Sequence, residues 1–383
     1  MIPYGKQDIN QDDIDAVVET LTSDFITQGP KIPEFEKSVT DYTGTKHAVA
    51  VSSATAALHI SCHALGVTKG DIVWTSPVTF VASANCARYC GAEVDFVDID
   101  KTTYNMSVTR LERKLIEAKA IGRLPKVVIP VHLTGQSCEM EPIAKLAKDY
   151  NFKIIEDASH AIGGKYKGEP VGNCAYSDIC VFSFHPVKII TTAEGGMATT
   201  NDDDLAKKLA LARSHGITRD ENLMTEPSHG PWYYQQIELG YNYRLTDIQA
   251  ALGTSQMKRI NEFVKTRNEL AKRYDQLLSS LPIITPQQHD DCYSSRHLYV
   301  IKLDGELNHK AVFEKMRELG IGVNLHYIPV HLQPYYAKMG FNKGDYPASE
   351  DYYAHAISIP LYAKLTHEEQ DQVVEALKQA ISA

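Results

Sequence analysis

The segment FSFHPVKIITTAEGG, residues 182 to 196, ends an apolar run in Ser183, His185 and Lys188, followed by two threonines, a glutamate and a glycine pair. A lysine desolvated in such surroundings loses proton affinity and becomes an amine able to attack a carbonyl; a lysine snorkelling from a strand edge is the plainer alternative. A second segment, IIEDASHAIGG, residues 154 to 164, brings Glu156 and Asp157 to the carboxyl end of a strand, with His160 three residues on. Open α/β sheets gather ligands at that end. Asp157 alone could be a metal ligand, a general base, a turn cap or the partner of a protonated ring nitrogen, and no histidine or cysteine cluster surrounds it at metal-binding spacing. Taken with Lys188 it completes the pair that pyridoxal phosphate needs, an amine for the aldehyde and a carboxylate for the pyridine nitrogen.

That cofactor also needs an anion cradle and a surface for its ring. SSATAAL, residues 52 to 58, follows a strand and opens a helix, so its first amides are free to meet an anion and the helix field favours a dianion. Ser53, Ala54 and Thr55 are the candidate phosphate residues, with Ser183 as a further hydroxyl donor; a Ser/Thr cap without a ligand is the alternative. Phe80, in SPVTFVAS, emerges beside the same sheet edge and could stack on a ring or belong to the core. Neither GxGxxG nor GxxxxGK[ST] occurs, which disfavours dinucleotide and nucleoside-triphosphate chemistry.

These residues must be carried by regular elements, and the rest of the sequence supplies them. Short, nearly continuous apolar runs at 48–51, 72–75, 94–97, 127–131, 152–155, 179–184 and 197–200 read as strands covered on both faces. Helical periods at 79–89, 108–118, 140–150 and 203–214 lie between them. Residues 9–21 read as a helix with Ile14, Val17, Val18 and Leu21 on its apolar face, after an extended arm. The pattern predicts an α/β large domain with a mainly parallel sheet over residues 1–250. A long helix over 247–281, with Ile260, Val264, Ala271, Tyr274, Leu278 and Leu281 on one face, leads into a smaller α/β domain over 251–383. There a strand at 298–303, a helix at 309–319, a strand at 323–327 and a helix at 368–380 are expected.

The chain has 383 residues, 43% hydrophobic and 23% charged, with 39 basic and 48 acidic side chains and a formal charge of -9. An acidic chain without basic runs lacks the counterion-releasing surface of a duplex-binding protein, so no nucleic-acid partner is expected. No apolar stretch reaches the length of a membrane span, and the acidic beginning MIPYGKQDINQDDID does not read as a signal peptide, so a cytoplasmic protein is expected. The seven cysteines are widely spaced, apart from Cys86 and Cys90 one helical turn apart, and read as buried thiols rather than a metal site.

PVTFVASANC, VHLTGQS, EDASHAIGG, SFHPVKIITTAEGG, RSHGI, LGYNYRLTDIQAALG and HYIPVHLQPYY, in this order along the whole chain, resemble the sugar aminotransferase family named after DegT, DnrJ, EryC1 and StrS. The resemblance implies an aspartate-aminotransferase-like fold of type I and pyridoxal phosphate as cofactor. It implies that Lys188 holds the aldehyde, Asp157 pairs with the pyridine nitrogen, Phe80 stacks on the ring, and His160 lies near the ring or its 3-hydroxyl. Ala54, Thr55 and Ser183 would contact the phosphate, and Asn242 would reach it from the other subunit of a homodimer, with Arg244 holding a loop or dimer contact. His185 would border the cofactor, and His326, Tyr327 and His331, in the segment the family folds over the entrance, would meet the second substrate. SSATAAL, PVTFVASAN and the extended segment from RSHGI to IQAALG most resemble members that use L-glutamate to aminate C4 of UDP-2-acetamido-2,6-dideoxy-β-L-arabino-hex-4-ulose. Another nucleotide-linked 4-keto sugar, such as the UDP-bacillosamine precursor, is the alternative within the class. A noncatalytic sensor or scaffold is the alternative outside it, and retention of Lys188 speaks against that reading.

Overall fold

A computed structural model describes residues 1–305 and 307–382. Its centre is a seven-stranded sheet of β1 (His47–Val51), β2 (Ile72–Thr75), β3 (Glu93–Phe96), β4 (Val127–Ile129), β5 (Lys153–Asp157), β6 (Ile179–Ser183) and β7 (Gly196–Thr200). The spatial order is β1-β7-β6-β5-β4-β2-β3. All pairings from β6 to β3 are parallel, and β7 runs antiparallel to both neighbours. Every residue of β2, β6 and β7 is buried, as expected of strands covered on both faces. The expected strand through Val131 stops at Ile129 because Pro130 has no N–H to give to the ladder. The sheet's carboxyl ends, together with the start of helix α3 (Ala54–Ala64) after β1, form the edge that carries the chemistry.

Before the sheet come α1 (Gln11–Leu21) and α2 (Lys31–Thr43). Helix α1 starts on a capping box, with Asn10 and Asp13 bonding each other's backbone N–H. Its apolar stripe does not enter this chain's core: Ile14, Val18 and Leu21 are 47%, 52% and 55% exposed, joined by Phe25 and Ile26. The fully buried residues of α1 are instead Asp13 and Thr20, and Asp13 accepts from Arg259 Nη2 at 2.7 Å. Helix α4 spans Ala82–Tyr89, three residues shorter at its start than the period suggests, because Thr79 and Phe80 swing out toward the sheet edge.

The stretch expected as one long helix is two, Asp247–Met257 and Ile260–Leu277. The break falls where the Arg259 guanidinium turns to Asp8 and Asp13. In the second helix, Ile260, Phe263 and Val264 pack under the central sheet, whereas Leu270, Ala271 and Tyr274 join the C-terminal core. That core is formed by the antiparallel strands Ile283–Ile284, Tyr299–Leu303 and Ala356–Ile359 and the helices His309–Glu318 and His367–Ser382. Residues 323–327, expected as a strand, make only the isolated bridge between Asn324 and Ser358. Their ladder is cut short because the His326 ring bonds Ser358 Oγ at 2.7 Å and the His326 carbonyl accepts from Tyr352 Oη at 2.7 Å. This mainly parallel large sheet with a smaller C-terminal α/β unit is the arrangement that the resemblance to an aspartate-aminotransferase-like fold implies. Among the described residues no helix is long and apolar enough to cross a membrane. All seven cysteines are free thiols.

Candidate active site

The carboxyl ends of β5 and β6 and the first turn of α3 open on a cavity of about 570 Å³. Lys188 enters it from a turn after β6 that is closed by the Lys188 N–H donating to the His185 carbonyl. Among the described residues its amine has neither a hydrogen-bond partner nor an ion pair within reach. Burial lowers the amine from 10.5 to about 8, against the opposing pull of the Asp157 charge. A lysine so placed is neutral far more often than an exposed one and is suited to nucleophilic work.

Asp157 ends β5 and is 4% exposed, lining the same cavity. Its Oδ2 accepts from Ser83 Oγ at 2.6 Å, and its Oδ1 accepts from Ser159 Oγ at 2.6 Å and from the Ser159 N–H at 3.1 Å. Ser53 is the N-cap of α3, its Oγ accepting from the Ala56 N–H at 3.1 Å. The hydroxyl thus serves an inner amide, and the N–H groups of Ala54 and Thr55 stay free of intrahelical partners at the cavity wall. Gly196 passes so close that a Cβ there would run into the Ser53–Ala54 peptide, so this cradle requires a glycine. Ser183 lies beside it at the end of β6, and Phe80, 57% exposed, lines the rim.

The opposite wall is made of neutral rings. The Thr134 N–H donates to His160 Nδ1 at 3.2 Å, which leaves the proton on Nε2 to be donated to Tyr327 Oη, 3.1 Å away. The Tyr327 hydroxyl proton is then directed elsewhere. The His297 ring lies tilted against His160, with ring centroids 4.5 Å apart, and its buried Nδ1 has no partner among the described residues. Burial, reinforced by the Lys188 charge, holds His160 and His297 well below the usual imidazole range and His326 at about 3. Burial also raises the Tyr327 phenol, so it acts as a neutral hydroxyl.

Of the residues singled out in the sequence, the structure gathers Ser53, Ala54, Thr55, Phe80, Asp157, His160, Ser183, His185, Lys188, His326 and Tyr327 around one cavity. It does not bring His331 there. That side chain is fully buried, its Nε2 is 3.0 Å from Glu350 Oε1, and its ring packs on Tyr346. The expectation that His331 meets a substrate is therefore corrected: Val330–Leu332 forms a short 3₁₀ turn that points it into the protein. Asn242 is exposed outside the cavity, its backbone bridged to Ser214, and the Arg244 backbone lies opposite Val51. Sequence reasoning missed Tyr4, which the N-terminal arm delivers to the cavity, and also Thr79, Ser83, Ser159 and His297. Ser159 carried a local signal, since Asp-x-Ser invites a hydroxyl and amide back to the aspartate. The others depend on contacts between distant segments.

An unpartnered amine of lowered proton affinity, a buried carboxylate, a glycine-lined cradle of free amides and an exposed aromatic face match the aldehyde, ring nitrogen, phosphate and ring of pyridoxal phosphate, so the residues present fit that group.

Comparison with known proteins agrees. The model of the DegT/DnrJ/EryC1/StrS aminotransferase family matches residues 7–378. The UDP-4-amino-4,6-dideoxy-N-acetyl-beta-L-altrosamine transaminase of Campylobacter jejuni is 39% identical over 381 residues, covering 98% of this chain and 96% of that protein. The GDP-perosamine synthase of Caulobacter vibrioides is 37% identical over 373 residues, covering 96% and 95%. The putative sugar aminotransferase Spr1654 of Streptococcus pneumoniae, solved in a PMP form, superposes with a TM-score of 0.91 at 32% identity, covering 100% of this chain and 99% of that one. Its PLP form superposes at 0.89.

Proposed function

The chain belongs to the DegT/DnrJ/EryC1/StrS aminotransferase family and is a pyridoxal-phosphate-dependent aminotransferase of a nucleotide-linked sugar; from there we propose that it transfers the amino group of L-glutamate to C4 of UDP-2-acetamido-2,6-dideoxy-β-L-arabino-hex-4-ulose. The products are UDP-4-amino-4,6-dideoxy-N-acetyl-β-L-altrosamine and 2-oxoglutarate. The observation that carries the chemistry is the meeting of the free Lys188 amine, the Asp157 carboxylate and the α3 amides in one cavity. The choice of sugar rests on the motif wording and on the likeness to the Campylobacter jejuni transaminase.

When bound, pyridoxal phosphate supplies an aldehyde to carry the amino group and a ring to accept electrons. Lys188 would hold it, and its amine, once displaced by glutamate, would take the proton from the amino-acid carbon and deliver it to the carbon that had carried the aldehyde, with the opposite transfer serving the keto sugar. With its amine near 8, a useful fraction of Lys188 is neutral at neutral pH. Asp157 would keep the ring nitrogen protonated. The amides of Ala54 and Thr55, with the Ser53 and Ser183 hydroxyls, would bind the phosphate, and Phe80 would cover one face of the ring. His160 donates through Nε2, and the Tyr327 hydroxyl is left to donate toward the cavity; His185, His326 and Tyr327 line the side on which the sugar would be read. Asn242 would complete the site of a second copy in a homodimer, a role supported by its exposure and by the half-exposed apolar face of α1.

The likeness to GDP-perosamine synthase favours a second reading, transfer to a different nucleotide-linked keto sugar. Incubation with glutamate and either the UDP-linked L-arabino or the D-xylo 4-keto sugar, followed by product NMR, separates the two. Faster amination of the L-arabino substrate at C4 is expected. Faster turnover of the D-xylo isomer would overturn the choice of sugar and leave the aminotransferase assignment standing.

A further inference from the structure

A lone carboxylate in a dry wall would be costly to bury, and Asp157 has its oxygens supplied with hydroxyl donors from two directions. Ser159, on its own loop, gives Oδ1 an O–H and an N–H. Oδ2 is served from a different part of the chain, by Ser83 of α4 at 2.6 Å. Ser83 is completely buried, and 2.7 Å behind its Oγ stands the Oγ1 of Thr79, four residues earlier in the loop that leads into α4 and 2% exposed. An ionised carboxylate only accepts, so Ser83 spends its proton on Asp157 and must itself accept from Thr79. The more distant Phe80 carbonyl, 3.3 Å from Ser83 Oγ, is the weaker claimant on that proton. The direction of the chain is thereby fixed: Thr79 to Ser83, Ser83 to Asp157.

We propose that Ser83, backed by Thr79, is a positioning residue that holds the Asp157 carboxylate aimed at the ring nitrogen of the cofactor. The inference rests on the reading of Asp157 given above. Each hydrogen bond donated to a carboxylate favours its charged form over the acid. With the Ser83 hydroxyl gone, the freed lone pair on Oδ2 competes for the ring proton, and the carboxylate gains freedom to rotate. The hydroxyl at 83 therefore acts on the electronic state of the ring, at one remove, through Asp157.

The test uses holoenzyme loaded with pyridoxal phosphate labelled with 15N in the ring, whose nitrogen resonance reports protonation directly. Wild type is expected to show a protonated ring, and Asp157→Asn an unprotonated one. Ser83→Ala is expected to move the resonance toward the unprotonated position and to slow the glutamate half-reaction roughly ten- to hundredfold, the range carried by a hydrogen bond to a charged group. Ser83→Thr, which keeps the hydroxyl, should restore both readings. A wild-type resonance in Ser83→Ala, or Ser83→Thr no better than alanine, overturns the inference while leaving Asp157 in its role. If Ser83→Ala does not retain the cofactor, Thr79→Val decides, with a smaller shift in the same direction in support and an unchanged resonance against. A protonated ring in Asp157→Asn would instead overturn the reading of Asp157, and this inference with it.

Discussion

Glu156 and Asp157 are consecutive carboxylates on β5, and they point to opposite faces of the sheet. Their burial is nearly the same, 5% and 4% exposed, so burial does not tell them apart. Glu156 is enclosed: His132 Nε2 lies 2.7 Å from Oε2, Ser177 bonds Oε1, and His132 Nδ1 accepts from the Cys138 N–H at 3.1 Å. Among the described residues its side-chain partners are His132 and Ser177, and the network ties β5 to the loop after β4. Asp157 is held as firmly, by Ser83 and Ser159, but it also lines a cavity shared with an unpaired amine. A buried carboxylate surrounded only by protein donors holds the fold together; one that keeps a side open to a cavity can act on a ligand.

The widest gap between the two faces should appear on the Asp157 side. Lys188→Ala should abolish multiple-turnover transamination, measured by 2-oxoglutarate release, while the protein still folds; retained turnover would break the comparison at its root. Next, Asp157→Asn should slow the glutamate half-reaction on the order of 10² to 10³-fold, the cost of removing one member of a buried charge pair. Near-normal rates would make the two faces equivalent.

The pH dependence sharpens the contrast. With Lys188 at about 8, the half-reaction should rise about tenfold per pH unit well below that value and level off above it. The cofactor-free protein should also gain stability between about pH 8 and 10.5. In that window the unfolded chain still binds the proton that folded Lys188 has released, so unfolding becomes harder as pH rises. Lys188→Met should lose this gain.

Glu156→Gln should leave the half-reaction intact and lower stability by about 1–3 kcal/mol, since a buried hydrogen-bonded network is disrupted. Urea unfolding followed by circular dichroism measures it, and a large kinetic defect without loss of stability would place Glu156 in the chemistry after all. The smallest kinetic effect is expected of His331→Ala. It should destabilise the Glu350 contact and leave the use of the keto sugar unchanged, and a selective defect with the sugar would return His331 to the site.

Much of the sheet edge was legible because its determinants are local. Apolar runs of four to six residues marked the strands; Asp157 and Ser53 sit at a strand end and a helix start, and Lys188 lies in the short turn after β6, where the chain itself sets their position. The residues that were misread depend on contacts between distant segments. His326 and His331 share one short segment, with imidazoles of the same chemistry, and only the turn at Val330–Leu332 sends one to the cavity and the other to Glu350. Ser83 and Thr79 become meaningful only when α4 is laid against the end of β5, 74 residues away along the chain. The stripe of α1 illustrates the same limit: its period was correct, but period alone does not say whether the apolar face meets this chain or another.

The account stands on Lys188 as the amine that takes the aldehyde. Borohydride reduction of the protein loaded with pyridoxal phosphate, followed by digestion and mass spectrometry, asks this directly. The expected result is the mass of the reduced cofactor on the peptide that contains Lys188 and on no other; attachment to a different lysine, or to none, would contradict the account.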